Sequence, residues 1–170
     1  MANLKDSPHF DNHDDYYTRK KAWEDIKEFI PEDKIIWEAC LLNSNEQSKK
    51  YLEELGFNVV GNKNVDIFDS QMGDVIITNI PFSTDIKQKI LKRLNELDQP
   101  FIIIMNSMNV FTRYFREIFS DKDINFIIPS YKIHYDKFSE GKLVEQKNNT
   151  SFYSWYVCYK IPKVKKNIWI

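Results

Sequence analysis

The residues of this sequence best suited to chemistry stand in the tetrapeptide Asn79-Ile80-Pro81-Phe82. It follows the strongest strand signal of the chain, residues 73–78, and precedes an amphipathic helical pattern. Asn79 supplies a hydrogen-bond acceptor, Pro81 fixes φ and stiffens the loop, and Phe82 supplies an aromatic ring. A strand that merely ends at a proline would give the same letters, so the surroundings of the tetrapeptide decide its meaning.

These surroundings carry a resemblance to a known family. The tetrapeptide is similar to the Asn/Asp-Pro-Pro-Tyr/Phe signature of class I methyltransferases that modify exocyclic amino groups, in particular adenine-specific DNA methyltransferases. An aliphatic residue at the place of Ile80 occurs in related adenine dimethylases of ribosomal RNA. The resemblance covers about residues 14–160. Four other segments also resemble parts of this family: Asp14-Asp15-Tyr16-Tyr17-Thr18, Trp37-Glu38, Asp66-Ile67-Phe68 and Ser151-Phe152-Tyr153-Ser154-Trp155-Tyr156.

The resemblance implies transfer of a methyl group from S-adenosylmethionine to the exocyclic amino group of adenine. This amine is a weak nucleophile, because its lone pair is delocalised into the ring. Asn79 and a nearby backbone carbonyl would accept its hydrogen bonds, while Pro81 stiffens the loop and Phe82 stacks on the base. A base in a duplex must first leave the helix. Asn79, Pro81 and Phe82 are therefore the predicted catalytic set.

The resemblance also implies the contacts of the methyl donor, which are Tyr16, Tyr17, Thr18, Glu38, Ala39, Asp66 and Phe68. Glu38 stands where the family's first strand carries an acid, and a strand-end charge in water is the alternative. Asp66 and Phe68 would flank the adenine of the donor, and a turn or N-cap role is the alternative for Asp66. No metal is expected, since the histidines and cysteines show no ligand spacing.

The donor-binding half departs from the family pattern at three points. The run from Ala39 to Asn45 replaces a glycine-rich turn, so its Cβ atoms take up space, and Leu41 or Leu42 could fill the pocket. The run from Gly61 to Asn64 holds no acid for the ribose hydroxyls, although Asn62 or Asn64 could accept a hydrogen bond. Arg19 replaces an expected proline. These departures favour weakened or lost donor binding.

Strands that alternate with helices predict the elements that position these residues. The fold class is α/β: a Rossmann-like, doubly wound, mostly parallel sheet with helices on both faces, ending in an antiparallel hairpin. Predicted strands lie at 34–38, 57–60, 66–68, 73–78, 101–105 and 124–128, helices lie near 23–30, 47–55, 83–97 and 110–119, and segments 131–138 and 151–161 are predicted to pair. Ligands bind beyond the carboxyl ends of such strands, so four loops should share one rim.

Length and composition limit the remaining possibilities. The chain has 170 residues, of which 42% are apolar, which fits one folded domain. Residues 1–13 are predicted as a flexible arm, 14–161 as the methyltransferase-like domain and 162–170 as a basic tail. No apolar run is long enough to span a bilayer, and Cys40 and Cys158 fit a reducing compartment, so a cytoplasmic location is expected. Small proteins of this appearance are found in large DNA viruses and in organisms with AT-rich genomes.

Three functions remain open at this point. The first is an active methyltransferase on DNA, with RNA as the neighbouring substrate. The second is a catalytically inactive scaffold or regulatory subunit with a protein partner, which the glycine-free run after the first strand favours. The third is a nucleic-acid binder. The net charge of −1 gives no global support for it, so it rests on aromatic residues and on a local basic patch of Lys160, Lys163, Lys165 and Lys166, extended by Lys132 and Lys137.

Overall fold

The computed structural model describes residues 16–41, 46–139, 142–145 and 150–170. The predicted arm lies outside these segments, and so do Asp14, Asp15, Leu42, Glu140 and Gly141. The helices of the described segments are α1 (Lys20–Glu24), α2 (Gln47–Glu54), α3 (Thr84–Leu97) and α4 (Arg113–Ile118), with 3₁₀ helices at Lys27–Phe29 and Ser107–Phe111. No helix in these segments has the length and apolar character required to cross a membrane.

The described strands number ten, and they form two sheets. They are β1 (Tyr16–Thr18), β2 (Ile35–Trp37), β3 (Asn58–Val60), β4 (Val75–Asn79), β5 (Phe101–Asn106), β6 (Ile124–Ile128), β7 (Tyr135–Ser139), β8 (Lys142–Glu145), β9 (Ser154–Tyr159) and β10 (Ile168–Trp169). The central sheet has the order β10-β6-β9-β5-β4-β2-β3, with β9 antiparallel to its two neighbours and every other pair parallel.

Apolar cores cover both faces of the central sheet. Adjacent residues of β4 belong to different clusters, as alternation along a strand requires. Ile77 packs with Trp23 and Leu52 from the α1 and α2 side, whereas Ile76 packs with Ile90 from the α3 and α4 side. The predicted Rossmann-like, doubly wound α/β fold is therefore confirmed.

The smaller sheet has the order β1-β7-β8, and both of its pairs are antiparallel. The predicted pairing of segments 131–138 and 151–161 is wrong. β7 pairs with β1 and β8, while β9 inserts between β5 and β6. Alternation in a sequence indicates a strand and its faces, but it does not name the partner strand. The antiparallel hairpin near the end of the chain consists of β7 and β8.

The predicted strand at 66–68 is also wrong, because this segment forms a turn. Asp66 Oδ1 accepts a hydrogen bond from the Phe68 amide at 2.9 Å, and the Asp66 carbonyl accepts one from Asp69 at 3.2 Å. A side chain that binds the backbone locally competes with pairing in a sheet. β3 is consequently the edge strand on this side.

The predicted basic tail, residues 162–170, contains the other edge strand. Ile168 and Trp169 of β10 lie opposite Ile127 and Ile128 of β6. Lys163 Nζ donates a hydrogen bond to the carbonyl of Glu28 at 2.7 Å. These contacts fix the end of the chain against the domain.

The strands β2, β3, β4 and β5 are parallel, so the four loops that follow them lie at one edge of the sheet, as predicted. We call this edge the rim. Gly61, directly after β3, makes the closest backbone approach there. Its φ is +109°, and an added Cβ would lie 2.5 Å from the carbonyl oxygen of Glu38, in the loop after β2. Both the conformation and the contact require glycine. The loops after β2 and β3 therefore pack backbone against backbone beside the rim.

We expect Gly61→Ala to lower the free energy of unfolding by at least about 2 kcal/mol, because alanine disfavours this φ and its Cβ would meet the carbonyl of Glu38. Gly56→Ala is the matched control, since Gly56 has φ +100° but nothing within 4 Å of an added Cβ. Urea unfolding of both variants measures the difference. Equal losses would show that the contact with Glu38 contributes nothing.

Candidate active site

A cavity of about 50 Å³ lies at this rim and joins the two sheets. Seven residues predicted for the site line it: Tyr16, Tyr17, Thr18, Glu38, Asn79, Pro81 and Phe82. The other described lining residues are Cys40, Leu41, Glu46, Gln47, Ser48 and Ile80. Sequence reasoning placed Leu41 near the donor but missed the start of α2. The available signal was position, because α2 begins soon after a strand that ends at the rim.

Asn79, the last residue of β4, carries the most informative atom of the cavity. Its Oδ1 is buried and has no hydrogen-bond partner in the described part of the chain. Thr18 Oγ1, at the end of β1, is buried and unpartnered in the same way. A buried polar atom without a partner costs about 1–3 kcal/mol. Both residues line the cavity, so a polar group bound there would be close to two atoms that need a hydrogen-bond partner.

Glu38 is buried at the end of β2, with 3% of its surface exposed, and is therefore not a strand-end charge in water. Its Oε1 accepts hydrogen bonds from the Thr78 hydroxyl and from the Cys40 amide, the latter at 3.1 Å. Burial raises the pKa of Glu38 to about 7, and these two hydrogen bonds oppose the rise. The carboxyl links the loop after β2 to β4, one residue before Asn79.

Phe82 lies within a cluster of aromatic rings. Its centroid is 5.4 Å from that of Tyr16, 5.5 Å from Tyr135 and 5.3 Å from Phe152, and the first two contacts are edge-to-face. Lys137 Nζ lies 4.8 Å from the Tyr16 ring centroid on the smaller sheet. The cluster fixes the loop after β4 against the smaller sheet while Phe82 still lines the cavity.

Ala39, Asp66 and Phe68 are not among the described residues that line the cavity. Ala39 is 2% exposed and belongs to the core cluster on the α3 side, against which Phe68 also packs. Asp66 closes the turn described above. Contact of these three residues with the donor stays a prediction.

The donor side of the cavity is crowded. Leu41 lines it, and Glu46 adopts the left-handed region with φ +46°. The cavity volume of about 50 Å³ is far below the roughly 300 Å³ at which small-molecule sites begin, and the cavity opens to solvent. A nucleoside can therefore bind only if the lining moves or if most of the nucleoside lies outside the enclosed part.

The remaining departures from the family pattern have local partners. Asn62 Oδ1 accepts a hydrogen bond from the Asn64 amide at 2.9 Å, where an acid was expected. Arg19 Nε donates to Asp136 Oδ1 at 2.7 Å, and its Nη1 donates to Glu145 Oε1 at 3.2 Å. Arg19 thus joins β1 to β7 and β8, which a proline could not do.

The described residues contain no group of three or more His, Cys, Asp or Glu side chains that could hold a metal ion. Cys40 and Cys158 are buried, as predicted, and burial raises the pKa of each thiol. Lys160 Nζ lies 2.7 Å from Asp98 Oδ2. Hydrogen bonds from Lys122 and Lys160 hold the pKa of the Asp98 carboxyl well below its usual range. Lys160, proposed for phosphate binding, therefore already has a carboxylate partner.

No protein-family model matches the sequence, and a search of curated proteins gave no match. Solved structures with some likeness include the tRNA (m1A58) methyltransferase TrmI from Aquifex aeolicus (11% identity, 82% of this chain, 67% of that chain, TM-score 0.42). A second is a putative RNA methyltransferase from Pyrococcus horikoshii (12% identity, 82% of this chain, 79% of that chain, TM-score 0.45). A third is TehB from Haemophilus influenzae (12% identity, 84% of this chain, 62% of that chain, TM-score 0.39).

We expect Glu38→Gln to change how stability depends on pH. The folded pKa of about 7 exceeds the ordinary 4.5, so folding favours the protonated carboxyl. Its contribution is fully present below about pH 4.5 and is lost as the pH rises through 7. The neutral variant should resemble the wild type at pH 4.5 and exceed its stability by roughly 2–3 kcal/mol at pH 8.

Urea unfolding at pH 4.5, 6 and 8 measures this difference. Glu32→Gln is the control, because Glu32 is an exposed carboxyl in the segment before β2. It reports the ordinary effect of removing one surface charge. A stability difference for Glu38→Gln that stays constant over this pH range would contradict the expectation.

Proposed function

We propose that this chain is a methyltransferase of exocyclic amino groups that acts on adenine in nucleic acid with S-adenosylmethionine as donor. The buried Oδ1 of Asn79, which has no hydrogen-bond partner in the described part of the chain, carries this proposal. An amino group brings N–H donors and needs an acceptor that no protein group already occupies. The resemblance of Asn79-Ile80-Pro81-Phe82 to the amino-methyltransferase signature supports the same substrate. That resemblance favours DNA as the polymer, with RNA second.

The residues around the cavity suit the polar part of such a donor. Thr18 Oγ1 is buried and unpaired, and Glu38 presents a carboxyl to the same cavity. Thr18, Glu38 and the neighbouring Tyr16 and Tyr17 would hold the donor, with Ala39, Asp66 and Phe68 as further contacts along the rim. When bound, S-adenosylmethionine supplies a methyl group activated by its sulfonium.

The chain's own residues would prepare the acceptor. Asn79 Oδ1 would accept a hydrogen bond from the amine and draw its lone pair out of conjugation with the ring. Pro81 is buried and restrains the loop. Phe82, held by the surrounding aromatic rings, offers a stacking surface for the base. Alignment of the reacting groups on a rigid loop supplies most of the required catalysis.

A second function, an inactive scaffold or regulatory subunit with a protein partner, is favoured by a different observation. The cavity volume is about 50 Å³, and Leu41 occupies part of the lining where the family has a glycine-rich turn. A pocket that stays at this size would exclude the donor. Donor binding therefore separates the two functions.

We expect S-adenosylmethionine and S-adenosylhomocysteine to raise the melting temperature of the chain. A ligand at about one hundred times its Kd adds about 2.7 kcal/mol, which corresponds to about 5–10 °C for a domain of this size. Differential scanning fluorimetry with adenosine as the control ligand measures the shift. If neither compound raises the melting temperature more than adenosine does, the inactive scaffold is the better function.

We expect Asn79→Ala to lower methyl incorporation into adenine at least about 100-fold, because the amine loses an acceptor in a water-poor site. Asn79→Asp keeps an acceptor oxygen and should retain more activity than the alanine variant. Transfer of a radiolabelled methyl group to DNA and to RNA oligonucleotides measures the effect, with melting curves to show that both variants fold. Equal incorporation by Asn79→Ala and the wild type would refute the proposed chemistry.

A further inference from the structure

Exposed aromatic side chains adjoin the candidate site on the far side of β5. Phe111, at the end of the 3₁₀ helix after β5, is 65% exposed, Tyr153 just before β9 is 51% exposed, and Trp169 on β10 is 75% exposed. Trp155 on β9 is half-buried, with its ring centroid 6.2 Å from Phe111 and 5.7 Å from Phe126. We call Phe111, Tyr153, Trp155 and Trp169 the aromatic surface.

Trp155 and Trp169 lie on the same face of the central sheet. Tyr156, the next residue after Trp155, belongs to the core on the α1 and α2 side. Ile168 and Ile170, which flank Trp169, pack against that same core. Because neighbouring residues of a strand point to opposite faces, both tryptophans face the α3 and α4 side. The aromatic surface thus extends from the rim to the β10 edge.

Two contacts make the aromatic surface continuous with the candidate site. The Ser107 amide, directly after β5, donates a hydrogen bond to the Tyr153 carbonyl at 2.9 Å. Phe152, the residue before Tyr153, has its ring centroid 5.3 Å from that of Phe82, which lines the cavity. Phe82 packs against the core on the α1 and α2 side, so a chain of nucleotides on the aromatic surface would have to cross the rim to bring a base to Asn79.

Two cations, Lys132 and Arg113, stand beside these rings. Lys132 Nζ lies 5.2 Å from the Tyr153 ring centroid and donates a hydrogen bond to the Thr150 carbonyl. Arg113 is 87% exposed, two residues after Phe111, and pairs with Glu117 on α4. This charge pattern can contact one or two phosphates. It does not form the continuous basic groove that a duplex backbone requires.

We propose that the aromatic surface binds unpaired bases of a single-stranded nucleic acid and leads one of them to Asn79. The part that concerns Asn79 rests on the proposed function. Aromatic rings stack on any base, but the faces of bases are accessible only when the strand is unpaired. A surface rich in exposed aromatic rings therefore fits a single strand better than a duplex.

Fluorescence anisotropy with a labelled deoxyoligonucleotide of about 12 nucleotides tests this proposal, alone and annealed to its complement. We expect tighter binding of the single strand and a log–log salt slope no steeper than about −2. Phe111→Leu and Tyr153→Leu keep an apolar side chain but lose the ring, so each should raise Kd roughly tenfold. Phe111→Trp keeps an aromatic ring and should bind the single strand as tightly as the wild type. Ile35→Ala is the control for an exposed apolar residue, because Ile35 begins β2, at the end of the strand away from the rim.

Three results would overturn the proposal. The first is equal affinity for the single strand and the duplex. The second is an affinity of Phe111→Leu for the single strand equal to that of the wild type. The third is a dimer in sedimentation experiments that Phe111→Leu dissociates, which would assign the surface to a second copy. The binding assay needs no donor. Binding without methyl transfer by the wild type would refute the proposed function but leave the aromatic surface, whereas methyl transfer unaffected by Phe111→Leu would refute only the surface.

Discussion

The hydrogen bond between the buried carboxyl of Glu38 and the Thr78 hydroxyl holds the two halves of the site together. Glu38 follows β2, and Thr78 is the residue before Asn79, so this contact sets the distance between the predicted donor and acceptor segments. The carbonyl of Glu38 also forces glycine at position 61. Burying a carboxyl is costly unless it is hydrogen-bonded, and the Cys40 amide supplies the second bond.

The acceptor half and the donor half of the site differ in the hydrogen-bonding groups and the space that they offer to a ligand. On the acceptor side, Asn79 Oδ1 is buried and has no hydrogen-bond partner among the described residues. On the donor side, Leu41 and the left-handed Glu46 line a cavity too small for a nucleoside. Unpaired polar atoms reduce stability, so a domain with only a structural role would be more stable with apolar groups in their place. The acceptor side therefore argues for a ligand, and the donor side argues that its entry requires movement of the lining.

The sequence allowed prediction where a local pattern determines the structure. β4 and β5 are continuous apolar runs, as buried parallel strands require, and Asn79 could be placed at the rim because it directly follows β4. At residues 66–68 two patterns disagreed: Ile67 and Phe68 have the apolar character of a strand, whereas Asp66 is typical of a turn, and the turn is the one that forms. The partners of β7 and β9, and the place of Gln47 in the cavity, depend on tertiary contacts that periodicity does not encode.

The charges determine how such a domain could hold a polymer. Lys160 and Lys122 share the Asp98 carboxylate, and Lys163 donates to the carbonyl of Glu28. These cations mainly join parts of the domain, and the net charge of the chain is −1. Other cations are exposed, Arg116, Lys165 and Lys166 among them, so affinity for a polymer would combine contacts with phosphates and contacts with the bases themselves. A chemistry that acts on a base amine and a surface that stacks on bases therefore impose the same requirement, which is an unpaired strand.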